Sequence, residues 1–174
     1  MLVKAIVRAI VEDEIFKTPI VILEQVNTSK YLPIWVGPFE GKAIEYGIKG
    51  NQLLRPLPYD TFLKTLQLLK IEMKKVIINE LRSTTFYAII VMEGTGGEVL
   101  EIDSRPSDAI AMAVRSSCPI FINDRVMKNA QAGEEINKLM EQERKRRGLD
   151  THKDDENDEN DKNWLDNINP EDFK

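Results

Sequence analysis

Histidine is almost missing from this chain of 174 residues: His152 is the only one, and it lies in a charged C-terminal stretch. A histidine-based zinc site or a Ser–His triad within the body is thereby excluded. Cysteine is as scarce. Cys118 alone can close no intramolecular disulfide and build no thiolate cluster, and ahead of Pro119 in an apolar context it reads as a buried small residue. No apolar run reaches the roughly 18 residues that a membrane span needs. Met1-Leu2-Val3-Lys4 opens into a strand pattern, not the apolar core of a signal peptide, so a cytoplasmic protein without membrane contact is expected. The glycines of Glu93-Gly94-Thr95-Gly96-Gly97-Glu98 lack the Lys-Ser/Thr ending of a phosphate loop, and no helix pattern follows them.

A basic excess is missing too. The net charge is −5, from 24 Lys and Arg against 29 Asp and Glu. Ten of those acids and three of the lysines fall between Leu149 and Lys174, leaving 21 basic and 19 acidic side chains in the other 148 residues. A near-neutral body with an acidic tail is not an overwhelmingly basic nucleic-acid binder. Asp150 to Asp161 is of low complexity and is expected to be disordered. Trp164, Leu165, Ile168 and Phe173 then form an apolar cluster, either a peptide that docks an unknown protein or an ordinary terminus.

What is present is alternation. Leu2 to Val11, Pro19 to Leu23 and Tyr31 to Val36 read as strands joined by short polar turns, an antiparallel meander. In the first, Val3, Ala5, Val7 and Ala9 fall on one face and Leu2, Ile6 and Ile10 on the other. A helix follows over 39–49, and its Gly41 and Gly47 suit close packing or a ligand near the backbone. Asp60 reads as the N-cap of a second helix over 61–70, with Phe62, Leu63, Leu66 and Leu69 as its buried stripe. Strands over 76–78 and 85–91 come next, the latter apolar on both faces like a central strand. A strand over 99–103, a helix over 104–117 and a strand over 119–122 complete the body, and a final helix is expected near 134–147. Its Arg144-Lys145-Arg146-Arg147 suits a helix C-terminus or a nucleic-acid patch. The expected fold is α+β, a mostly antiparallel sheet with about three packed helices and room for one parallel pair. The expected divisions are a domain over 1–130, a C-terminal helix over 131–148 and an acidic tail over 149–174. Apolar residues on both strand faces exceed what three helices cover, so a two-fold homodimer is expected.

The densest chemistry lies in Ile102-Asp103-Ser104-Arg105-Pro106-Ser107-Asp108-Ala109-Ile110. Ser104 reads as a helix cap and Pro106 suits the first turn. Capping alone does not call for Arg105 or for both acids, so this turn is a candidate metal or phosphate site.

That segment, followed by Pro119-Ile120-Phe121-Ile122, resembles the core motif of the bifunctional nuclease domain family. Leu32-Pro33-Ile34-Trp35-Val36-Gly37 with Glu40, and Arg55-Pro56 with Asp60, agree with it over roughly residues 1–130. The resemblance implies a compact α+β domain, and cleavage of both DNA and RNA is attributed to some members. On this basis Asp103, Asp108 and Glu40 are candidate catalytic ligands for Mg²⁺ or Mn²⁺. Arg105 and Arg55, with Ser104 and Ser107, are candidate phosphate-binding residues. Many members carry a histidine just before the aspartate of the Arg-Pro segment, where this chain has Tyr59. Two functions follow: a metal-dependent nuclease of little sequence selectivity, or a non-catalytic oligomeric module that binds an anion or a protein.

Overall fold

The computed structural model describes residues 1–13, 16–50, 53–128, 131–132 and four helical positions, 138, 141, 142 and 145. Within the described residues up to 132, eight strands and four helices follow in the order β1 (Leu2–Glu12), β2 (Pro19–Gln25), β3 (Lys30–Trp35), α1 (Pro38–Ile48), α2 (Pro58–Leu68), β4 (Glu72–Arg82), β5 (Thr85–Glu93), β6 (Val99–Ser104), α3 (Pro106–Ser116), β7 (Ile120–Asn123), α4 (Asp124–Met127) and β8 (Gln131–Ala132). The strands form one sheet in the order β6-β5-β4-β7-β1-β2-β3-β8. Every pairing is antiparallel except β4 with β7. This is the expected α+β class, with the single parallel pair that its alternating elements permit. The acidic tail lies outside the described residues, as does most of the span expected for the last helix.

One layer of helices covers one face of the sheet. Ile44 of α1, Leu66 of α2, Ala109, Ile110 and Ala113 of α3 and Val126 of α4 pack on Val21, Leu23, Val76, Ile78, Ala88, Ile90 and Ile122. Cys118 belongs to this core, and burial pushes its thiol up to about 11, so it is the inert small residue expected. Ala9, Val11, Ile20, Ile22 and Tyr31 form a smaller cluster. Ile20 and Ile22 alternate with Val21 and Leu23, which places this cluster on the opposite face.

The strict alternation expected for β1 does not hold. Val7 pairs with Leu23 and Ala9 with Ile22, so Arg8 is an extra residue on β1. This bulge turns Ile10 to the helix side and Ala9 to the other.

The three long helices begin alike: Gly37-Pro38-Phe39-Glu40, Leu57-Pro58-Tyr59-Asp60 and Arg105-Pro106-Ser107-Asp108. In each, proline takes the first helical position, where no N–H is needed, and an acid takes the third, near the positive end of the helix. Two expected caps therefore shift. Asp60 lies inside α2, its Oδ2 accepting the Leu57 N–H at 2.8 Å. Ser104 ends β6 and donates to the Arg105 carbonyl at 3.1 Å, while Arg105 itself takes the cap position. The α2 stripe is also narrower than its periodicity suggests. Only Leu66 is buried, and Phe62 and Leu69 are 44% and 57% exposed, because α2 lies at the rim of the layer.

Candidate functional site at the joined helix starts

The first turns of α1, α2 and α3 meet through side chains. Arg105 binds Asp108 through Nε at 2.7 Å and Nη2 at 3.1 Å, and its Nη1 reaches Glu40 Oε1 at 2.9 Å. Tyr59 Oη donates to Asp108 Oδ1 at 2.8 Å. One guanidinium thus joins α3 to α1, and one phenol joins α2 to α3. Glu40 and Asp108 are mostly buried, whereas the Arg105 side chain is 65% exposed. Gly37 shapes the near side: a Cβ there would collide with the Glu40 carboxylate folded back over it.

The electrostatics follow from this geometry. Two carboxylates share one guanidinium, so the cluster carries a formal charge of −1. Hydrogen bonds from Arg105 to Asp108, then to Glu40, raise the arginine pKa further, keeping it cationic throughout the accessible range. Burial, and then the hydrogen bond to Asp108, push the Tyr59 phenol up to about 12. Tyr59 is therefore a neutral donor at ordinary pH and no general base.

Beneath the cluster lies a scaffold that sequence reasoning missed. Arg115, with its side chain 8% exposed, donates to Asp60 Oδ1 at 3.0 Å, to the Ala43 carbonyl at 2.7 Å and to the Ala111 carbonyl at 2.8 Å. Its guanidinium also lies 5.3 Å from the centre of the Tyr59 ring. Asp60 is thereby engaged twice, by Arg115 and by the Leu57 N–H. The shared proline-x-acid starts were the available signal for this convergence.

Of the expected site residues, Glu40, Asp108 and Arg105 come together. Asp103 does not join them. It pairs with Ile89, which pairs with Ile77. These positions alternate with Ile90, Ala88 and Ile78 of the helix-side core, so Asp103 belongs to the opposite sheet face. Among the described residues no three His, Cys, Asp or Glu side chains are grouped as a metal site. Arg55 is exposed ahead of α2 and makes no hydrogen bond or ion pair with another described residue. Ser107 is buried at the second position of α3. No helix among the described residues is long and apolar enough to cross a membrane.

Two uncharacterized proteins of Mycobacterium tuberculosis, from strains CDC 1551 / Oshkosh and ATCC 25618 / H37Rv, are similar to this chain. Each is 33% identical over 156 residues, covering 90% of this chain and 88% of its own. The family model of the bifunctional nuclease domain matches residues 21–135, from β2 through α4 and across all three helix starts. The chain belongs to the bifunctional nuclease domain family.

Proposed function

We propose that this nuclease-like domain hydrolyses phosphodiesters of DNA and RNA with little sequence selectivity, at the cluster of Glu40, Arg105, Asp108 and Tyr59. The supporting observation is the shared guanidinium: Arg105 is held by two carboxylates yet remains largely exposed. Three helix N-termini also converge there, and each favours an anion nearby. Arg105 can turn one edge of its fork to a phosphate while the other keeps Asp108.

A net charge of −1 does not by itself attract a phosphodiester, so a divalent cation completes the reading. Magnesium-class ions commonly take one or two protein carboxylates, with substrate phosphate and water as the remaining ligands. Glu40 and Asp108 suit a single Mg²⁺ or Mn²⁺ on that pattern. The three-carboxylate arrangement expected from the sequence does not suit the fold, since Asp103 is on the far face. A bound ion would supply charge neutralisation and an acidified water. The chain's own part is to hold both carboxylates at fixed helix starts, to clamp phosphate with Arg105 and to keep Asp108 oriented by the Tyr59 hydroxyl. A single cysteine, buried and unreactive, is compatible with the cytoplasm.

A second reading is a non-catalytic anion-binding module, favoured by the fact that both carboxylates already have an arginine partner. Metal dependence separates the two. Purified protein should cleave single-stranded DNA and RNA with Mg²⁺ or Mn²⁺, lose this in EDTA and regain it on metal addition. Binding without metal-restorable cleavage would leave the module reading in place.

A further inference from the structure

On the sheet face away from the helices, paired residues of five adjacent strands make one row. Asp103 of β6 pairs with Ile89 of β5, Ile89 with Ile77 of β4, Ile77 with Phe121 of β7, and Phe121 with Lys4 of β1. Directly paired residues project from the same side of a sheet. The row is therefore acidic at one end, basic at the other and apolar across its middle, where Ile77 is buried and Ile89 and Phe121 are half-buried. Asp103 and Lys4 are both exposed, and neither forms an ion pair with another described residue. Ile6, two residues beyond Lys4 on the same face, is 47% exposed, and Leu2 at the other side is 38% exposed.

We infer that this face is the dimer interface, and that a second copy of the chain packs on it across a two-fold axis running along β4. The charges choose the axis. Rotation about a line parallel to β4 exchanges the two ends of the row, so Asp103 of each copy lies over Lys4 of the other. Rotation about a line across the strands would set acid on acid and base on base, which is repulsive. Ile77 lies midway, two strands from each end, so the apolar centre packs on itself while the opposite charges meet twice. This is the self-complementarity that an isologous contact requires. Strand spacings of about 4.8 Å put the two charges about 19 Å apart, wide enough to flank an apolar patch of three side chains. Lys75 of β4 also lies on this axis, where the two copies bring it together, and Glu101, two strands away in the same row, is the acid nearest to it there, so the axis rests on the charges at the ends of the Asp103–Lys4 row. The inference is independent of the nuclease reading.

The test is the oligomeric state of the full chain by sedimentation velocity at micromolar concentration. The wild type should be a dimer. Lys4→Glu alone and Asp103→Lys alone each set like charges against each other twice and should weaken the dimer about tenfold or more. The double variant Lys4→Glu/Asp103→Lys restores opposite charges and should recover it, an outcome that misfolding cannot imitate. A monomeric wild type would overturn the inference. So would a dimer indifferent to both reversals, which would instead use another surface such as the exposed Phe62 and Leu68 of α2. Failure of the double variant to recover association would overturn it as well.

Discussion

The phenol of Tyr59 donates to Asp108 Oδ1 at 2.8 Å, so it decides which lone pairs Asp108 can offer to anything else. Its folded pKa lies at about 12, above the ordinary 10.0. Raising a pKa on folding contributes stability that is fully present below the unfolded value and is lost as pH climbs through the folded one. Wild-type stability should therefore fall between about pH 10 and about pH 12, and Tyr59→Phe should remove that part of the fall. Urea titrations of both proteins across this window check it; identical profiles would mean that the phenol is not held by Asp108. The candidate site was only partly legible residue by residue. Asp108 and Arg105 stood out because acids and arginine crowd that helix start beyond what capping needs, and Glu40 because it falls in a segment that resembles the family motif. Asp103 stood out for the same crowding, and its place at a strand end was legible, but the sequence does not say that its side chain is on the other face. Tyr59 was legible only as a departure from a family pattern, since nothing local says that its hydroxyl crosses to α3.

At the scale of elements, α1 and α3 approach closely because Gly47 has no side chain. A Cβ there would lie 2.6 Å from Val114 Cγ2 and 2.9 Å from Arg115 Nη1. Of the two sequence readings of this glycine, close packing is the one the helices use. Gly47→Ala should destabilise the fold by about 1–3 kcal/mol despite alanine's better helix propensity, read as a lower urea midpoint. Arg115 ties the same helices to α2 through Asp60 and the Ala43 carbonyl. Arg115→Leu leaves those acceptors without their donor and should cost about 2–4 kcal/mol, discounted because Asp60 is partly exposed. Most element positions were readable from period and breakers. The α2 start was not, because Asp60 as a cap and Asp60 as a third-position acid look alike until Pro58 is placed at the first helical position. The β1 faces were misread because a bulge leaves no mark in an apolar run.

For the whole molecule, the antiparallel class followed from short polar turns, whereas the β4–β7 parallel pair depends on α3 carrying the chain back across the sheet. Residues 149–174 bear ten acids and three lysines, and this charge opposes nucleic acid wherever the tail resides. Deleting them should strengthen DNA binding at low salt and matter less at high salt; fluorescence anisotropy at two ionic strengths measures it, and equal affinity at low salt would contradict this opposition. The most direct trial of the joined helix starts as the chemical centre compares two aspartates that look equivalent in sequence. Nuclease activity of purified Asp108→Asn and Asp103→Asn, each beside wild type with Mg²⁺ or Mn²⁺, should fall about a hundredfold or more for the first and stay near wild type per subunit for the second. Equal loss in both, or loss confined to Asp103→Asn, would contradict it.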